Sequence, residues 1–199
     1  MQKAYMFGKS RDKIKIPNGA SRKGWYLTAE QMKELYNHWK DNDLEFPIYD
    51  YKRTDNPPYA VKTALAAKLI HQSLAMFLMQ YLSCGCNLVD LALMRYNRFY
   101  FDTNGQAFQF IRKKSEDETK DGEGMEVIVP VIDPMREILE AYGAKPKLDA
   151  LVFPLLIGDA INQGEQAIRD RVHQENKNIA TRMKKLASDC LNLCEDFVK

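Results

Sequence analysis

The sequence lacks any run of the roughly 18 to 20 uninterrupted apolar residues that a membrane-spanning helix requires. Its start, "MQKAYMFGKSRDKIKIPNG", is basic and has no apolar signal-peptide core. Membrane insertion and secretion are therefore not expected, and a cytoplasmic location is. Cysteine is scarce: Cys84 with Cys86 and Cys190 with Cys194 form two close pairs far apart in the chain. Four such thiolates could ligate zinc, but their flanks are apolar, and a free cysteine then behaves as a small buried hydrophobe. No metal is expected. A large excess of charge of one sign is also missing, since the formal net charge is +2, too little to announce a polyanionic partner by itself. Internal repeats and low-complexity tracts are absent as well.

What is present is a core. The chain has 199 residues, 45% hydrophobic and 11% aromatic, enough for one globular unit. Its charge is unevenly distributed. Residues 1 to 24 carry seven Lys or Arg (Lys3, Lys9, Arg11, Lys13, Lys15, Arg22 and Lys23) against one Asp. Acids dominate residues 41 to 56, five against two bases, and residues 116 to 126, six against one. Each segment taken alone reads equally well as a solvated loop or arm. Only the basic arm suggests phosphate, because clustered cations gain affinity by releasing counterions from nucleic acid.

The pattern along the chain is mostly helical. Pro17, Gly19 and Gly24 punctuate an extended lead-in. "LTAEQMKELYNHW" starts a helix, with Thr28 as N-cap, Gln31 completing a capping box, and Met32, Leu35, Tyr36 and Trp39 at helical spacing. A polar loop over residues 40 to 59 ends at Pro57 and Pro58. A long helix from about Tyr59 to Leu82 follows, apolar on most sides and so central; its His71 is expected to be structural. After Gly85 another helix takes "NLVDLALMRY". The period then changes. "FYFDTNGQAFQFIRKKS" signals a hairpin at Thr103, Asn104 and Gly105, and "MEVIVPVI" supplies a third strand, with Pro130 at an edge or end. An acidic loop over residues 115 to 124 separates strands two and three. "DPMREILEAYG" is a short helix, capped by Asp133, with Pro134 in its first turn and Gly143 as stop. "LVFPLL" is a buried turn or short helix. An amphipathic helix from about Gln166 to Val198 aligns Ile168, Val172, Ile179, Met183, Leu186, Cys190, Leu193 and Phe197. The expected fold class is α+β, mostly α: a helical bundle carrying a small three-stranded antiparallel sheet.

Asn87 stands out in this pattern. It lies inside the apolar run "LSCGCNLVDLALMRY", two residues after a glycine. It is either a helix N-cap or a polar group held at a site, and the two roles are compatible.

In this order of elements, "GCNLVDLALMRY", "FIRKKS", "VIVPV" and "LVFPLL" resemble the catalytic domain of tyrosine recombinases, the phage-integrase family, and more closely the integrases of Bacteroides-type mobile elements. "FGKSRDKIKIPNG" followed by "LTAEQM" is similar to the linker and first catalytic helix of that subgroup. The resemblance spans nearly the whole chain: residues 1 to 26 as a basic interdomain linker, residues 27 to 199 as a partial catalytic domain. Each motif is short; their order and spacing carry the likeness. It implies binding of double-stranded DNA, possible homo-oligomers on that DNA, and DNA integration and recombination through a 3′-phosphotyrosine, without a metal or nucleotide cofactor.

Residue by residue, the family's G-x-R-x-x-E falls on Gly85, Asn87 and Asp90. The family arginine holds the scissile phosphate by two charge-assisted hydrogen bonds; asparagine brings donors without charge. Asp90, in place of glutamate, is read as a supporting acid. The K of the family's R-x-K-T falls on Lys114, the expected donor of a proton to the 5′-oxygen leaving group. Lys113 stands beside it, and Arg112 is expected to contact a neighbouring phosphate. Lys13, Lys15, Arg22 and Lys23 of the arm are expected on the DNA backbone.

The rest of the family apparatus is missing. No His/Lys-x-x-Arg box follows "FPLL": His173 has Asn176 where arginine is required and lies on the helix before the box is due. The last tyrosine is Tyr142, so none occupies the nucleophile's place. The chain as it stands is therefore not expected to cleave DNA, and truncation before the box is the simplest explanation. The alternative from another class is a catalytically dead remnant serving as a non-enzymatic protein-interaction module.

Overall fold

The computed structural model describes residues 27–41, 59–112 and 125–190, without the side chains of 59–65, 185 and 187–190. Helix α1 (Ala29–Asp41) starts on the expected capping box: the Thr28 backbone N–H donates to Gln31 Oε1 at 2.9 Å, and the Gln31 N–H donates to Thr28 Oγ1 at 3.3 Å. Its apolar stripe buries Met32, Leu35 and Trp39. Helix α2 (Tyr59–Leu82) is the central element. Leu74, Ala75, Met76, Leu78 and Met79 are all essentially inaccessible, so this helix is covered on several sides at once. Among the described residues no helix is long and apolar enough to cross a membrane.

Three helices meet at His71. Its Nε2 lies 2.7 Å from the Trp39 carbonyl oxygen and its Nδ1 2.6 Å from the Tyr142 hydroxyl. A carbonyl can only accept, so Nε2 carries the proton and Nδ1 accepts from the tyrosine. Burial raises the Tyr142 pKa, which keeps that hydroxyl protonated as a donor. The imidazole also stacks on the Trp39 ring, with centroids 5.3 Å apart. His71 is structural, as its place on an apolar helix suggests.

The chain leaves α2 through a left-handed pair, Cys84 at φ 58° and Gly85 at φ 70°, and enters α3 (Leu88–Leu93). This helix ends earlier than the apolar run. Residues 94 to 96 turn extended and bond to residues 150 to 152: the Tyr96 N–H donates to the Ala150 carbonyl at 2.9 Å, and the Val152 N–H to the Met94 carbonyl at 2.9 Å. Backbone pairing with a distant segment here overrides helix propensity.

The described sheet has two strands where three were expected. Strand β1 (Ala107–Arg112) pairs antiparallel with β2 (Met125–Pro130), in a register that sets Phe108 opposite Val129 and Arg112 opposite Met125. The segment expected as the first arm of a hairpin is helix α4 (Arg98–Asp102). Asn97 caps it, accepting from the Tyr100 N–H at 3.2 Å while its own amide donates to the Gln109 carbonyl at 2.7 Å. Tyr96 and Tyr100, four residues apart, bring their rings to 5.0 Å of each other, and Tyr100 stacks on Phe108 at 4.7 Å. The left-handed Asn104 and Gly105, the signal that suggested a hairpin, instead end this helix: the Gly105 N–H reaches back to the Tyr100 carbonyl at 2.8 Å.

Helix α5 (Asp133–Tyr142) begins with Asp133 and Pro134 in its first turn and takes Ile132, one residue before the expected Asp133, as N-cap. "LVFPLL" buries Leu151, Val152, Phe153 and Leu156 and forms a 3₁₀ turn over Pro154–Leu156, followed by another over Gly158–Asn162. Helix α6 (Glu165–Cys190) closes the bundle against α2 and α3, with Val172, Ile179 and Leu186 buried.

Candidate functional site

The Gly85–Asp90 turn is held by side-chain and backbone hydrogen bonds. Asn87 is the N-cap of α3, with extended backbone at φ −73° and ψ 157°. Its backbone N–H donates to Asp90 Oδ2 at 3.1 Å, the returning half of a capping box. The Asp90 side chain is fully buried. A buried carboxyl group needs polar partners; here the Asn87 N–H donates to it, and the Arg112 Nε stands 4.0 Å away at ion-pair distance. Arg112 Nη2 also donates to the Gly85 carbonyl at 2.9 Å. The last residue of β1 is thereby tied to the glycine that opens α3. Of the residues expected to act together, Asn87, Asp90 and Arg112 share one corner of the molecule.

Cys86, between Gly85 and Asn87, is buried, and its thiol pKa is pushed up to about 12, first by desolvation and then by the negative charge of Asp90. A thiol held protonated is a poor nucleophile at neutral pH. Cys84 is exposed. The side chains of Cys190 and Cys194 lie outside the described residues, and among those described no three His, Cys, Asp or Glu side chains cluster to hold a metal.

Lys113 and Lys114 lie outside the described residues, as do Lys13, Lys15, Arg22, Lys23 and the rest of the basic arm. Most of the acidic segments at 41 to 56 and 116 to 126 lie outside them too. The strand that leads to Lys113 ends at Arg112, against the Gly85 carbonyl.

Beside this corner runs an open cleft of about 360 Å³. One wall is the end of α2 and the start of α3, with Gln80 and Asn87; the other is α6, with Arg169, His173 and Asn176. Positions 169, 173 and 176 share one helical face. Gln80 is steadied by its amide, which donates to the Cys86 carbonyl at 3.3 Å. Leu88 and Val172 make an apolar floor. The sequence reading weighed His173 only as a member of a His-x-x-Arg box, and it missed Gln80 and Arg169. The available signal was the helical spacing of Arg169, Val172, His173 and Asn176, which puts three polar groups beside one core residue.

Compared with protein-family models, with curated proteins and with solved structures, the chain matches none of them. The functional reading therefore stands on residues and geometry.

Proposed function

We propose that the chain is the DNA-binding part of a tyrosine recombinase catalytic domain that, without a tyrosine after Tyr142, does not cleave DNA by itself. The observation that carries this reading is the bond between Arg112 and the Gly85 carbonyl. It joins the end of the strand that precedes Lys113 and Lys114 to the helix start at Asn87, the two features that must converge on one phosphodiester.

Lys114 is the proposed proton donor toward a 5′-oxygen in the parent enzyme, Lys113 and the basic arm bind the DNA backbone, and Asp90 fixes the corner by holding Asn87 and Arg112. Asn87 contributes neutral donors where the family has an arginine. Breaking and rejoining a strand needs a tyrosine hydroxyl as nucleophile, and no tyrosine follows Tyr142.

The test is a salt titration of duplex-DNA binding by the whole chain. Affinity is expected to fall steeply with salt, and the Lys113→Ala/Lys114→Ala double variant is expected to flatten the log–log slope by about two, one per lost phosphate contact. If the unaltered chain shows no duplex binding at low salt, the recombinase reading fails and a protein-interaction module takes its place.

A further inference from the structure

We infer that Arg169 and His173 of α6 supply the phosphodiester-binding charge and donors that Asn87 lacks, which makes the cleft between α3 and α6 the anion-binding site of this domain. The inference deepens the proposed function and rests on it for the choice of ligand, a phosphodiester. The geometry of the cleft stands independently.

Three observations lead there. Asn87 and the 169–176 face of α6 line the same cleft, so a group resting on Asn87 meets Arg169 and His173 across it. The polar atoms converge from three helices: Gln80 ends α2, Asn87 opens α3, and Arg169, His173 and Asn176 face them from α6. Polar side chains surround this part of α6, but only Arg169, His173 and Asn176 line the cleft, beside the buried Leu88 and Val172, whose apolar floor excludes water from one side of whatever binds. Finally, the guanidinium is available to exchange partners. Arg169 Nη2 pairs with Glu165 at 2.7 Å, but both side chains are mostly exposed (68% and 77%). Such an exposed i,i+4 pair is weak, weaker than the two hydrogen bonds a guanidinium makes to a phosphate.

The chemistry selects a singly charged, tetrahedral oxyanion flanked by apolar groups. The guanidinium brings a planar fork of N–H donors, the imidazole one N–H, and the amides of Asn87, Gln80 and Asn176 neutral donors. No carboxylate lines this cleft. Moving the charge from the α3 position to α6 also explains how Asn87 can cap its helix without leaving the site uncharged.

The experiment follows the imidazole signals of all three histidines by NMR while a thymidine dinucleotide, which carries one phosphodiester, is titrated into the whole chain. His173 is expected to shift saturably, while His71, enclosed between Trp39 and Tyr142, and His38 on α1 stay still. Arg169→Ala is expected to weaken the dinucleotide about tenfold, and the slope of duplex affinity against salt is expected to flatten by about one. Arg171→Ala removes the same charge from the same helix outside this cleft, where Arg171 pairs with Glu175 at 2.8 Å, and is expected to leave the His173 response intact. Unchanged His71 signals in each variant report an intact fold, and Arg169→Gln repeats the test with the side-chain length kept. A His173 that does not respond, or that responds equally in the Arg169 and Arg171 variants, overturns the inference whether or not duplex DNA binds. A His173 response lost with Arg169, in a chain that binds no duplex, keeps the inference and overturns the recombinase reading.

Discussion

His71 and His173 present the same side chain in opposite settings. His71 sits in the clasp where α1, α2 and α5 meet, with both ring nitrogens bonded to protein atoms and its face on Trp39. His173 stands exposed on α6, at the rim of a cleft shared with Asn87 and Arg169. A histidine whose donors and acceptors are used up by its own chain stabilises that chain, whereas one over an apolar floor and facing other polar groups can serve a ligand. The same contrast separates the clasp from the Gly85–Asp90 corner, where some polar atoms are fixed internally and others line the cleft.

Stability measurements should separate the two regions. His71→Ala is the largest expected loss, about 3 kcal/mol, because it removes two hydrogen bonds and a stacked ring and strands the Trp39 carbonyl and the Tyr142 hydroxyl. Denaturant unfolding measures it, and a loss under 1 kcal/mol would show that the clasp holds nothing together. Alkaline pH acts on the other region through Cys86. Its folded pKa of about 12 stands above the usual value of 9.0, so the folded state holds the proton more tightly. The corresponding stability is complete below about pH 9 and falls as pH rises toward 12, by roughly 2 to 3 kcal/mol at pH 11. Unfolding of the unaltered chain at pH 8 and pH 11, beside Cys86→Ala, checks this: the variant's pH dependence should be flatter, and parallel curves would remove Cys86 as the cause.

Gly85→Ala should cost about 1 kcal/mol. A Cβ there meets nothing within 4 Å, so only the left-handed φ of 70° is at issue. Thermal unfolding reads it, and a neutral result would mean that the turn relaxes. Smallest is Arg169→Ala, expected to change stability by less than about 0.5 kcal/mol because its ion pair is exposed. A large loss would move Arg169 to the structural side of the comparison.

How much was legible in advance differs between regions for physical reasons. The Thr28 box, the span of α2, the Gly85 break, the α5 helix and the Pro154 turn depend on residues within a few positions of one another, and each was readable. Asn104 and Gly105 were read as a hairpin turn, and the structure shows them left-handed at the end of α4. The same conformation also ends a helix, and the choice was made by Asn97 bonding to Gln109 and by Tyr100 stacking on Phe108. The tie from Arg112 to Gly85 crosses 27 residues, and the cleft joins Gln80 to Asn176; neither spacing repeats with any period that a sequence displays.

The sequence by itself determined the described helices α1, α2, α5 and α6, the capping box of α1 and the apolar stripes they bury, because these follow from local hydrogen bonding and from the helical period, whereas α4 and the end of α3 did not. Only the tertiary structure decided that the sheet has two described strands, that Asn87 caps its helix while lining a cleft, and that Arg169 and His173 face it from α6. Contacts between distant segments depend on how helices pack, and packing is set by the whole core at once.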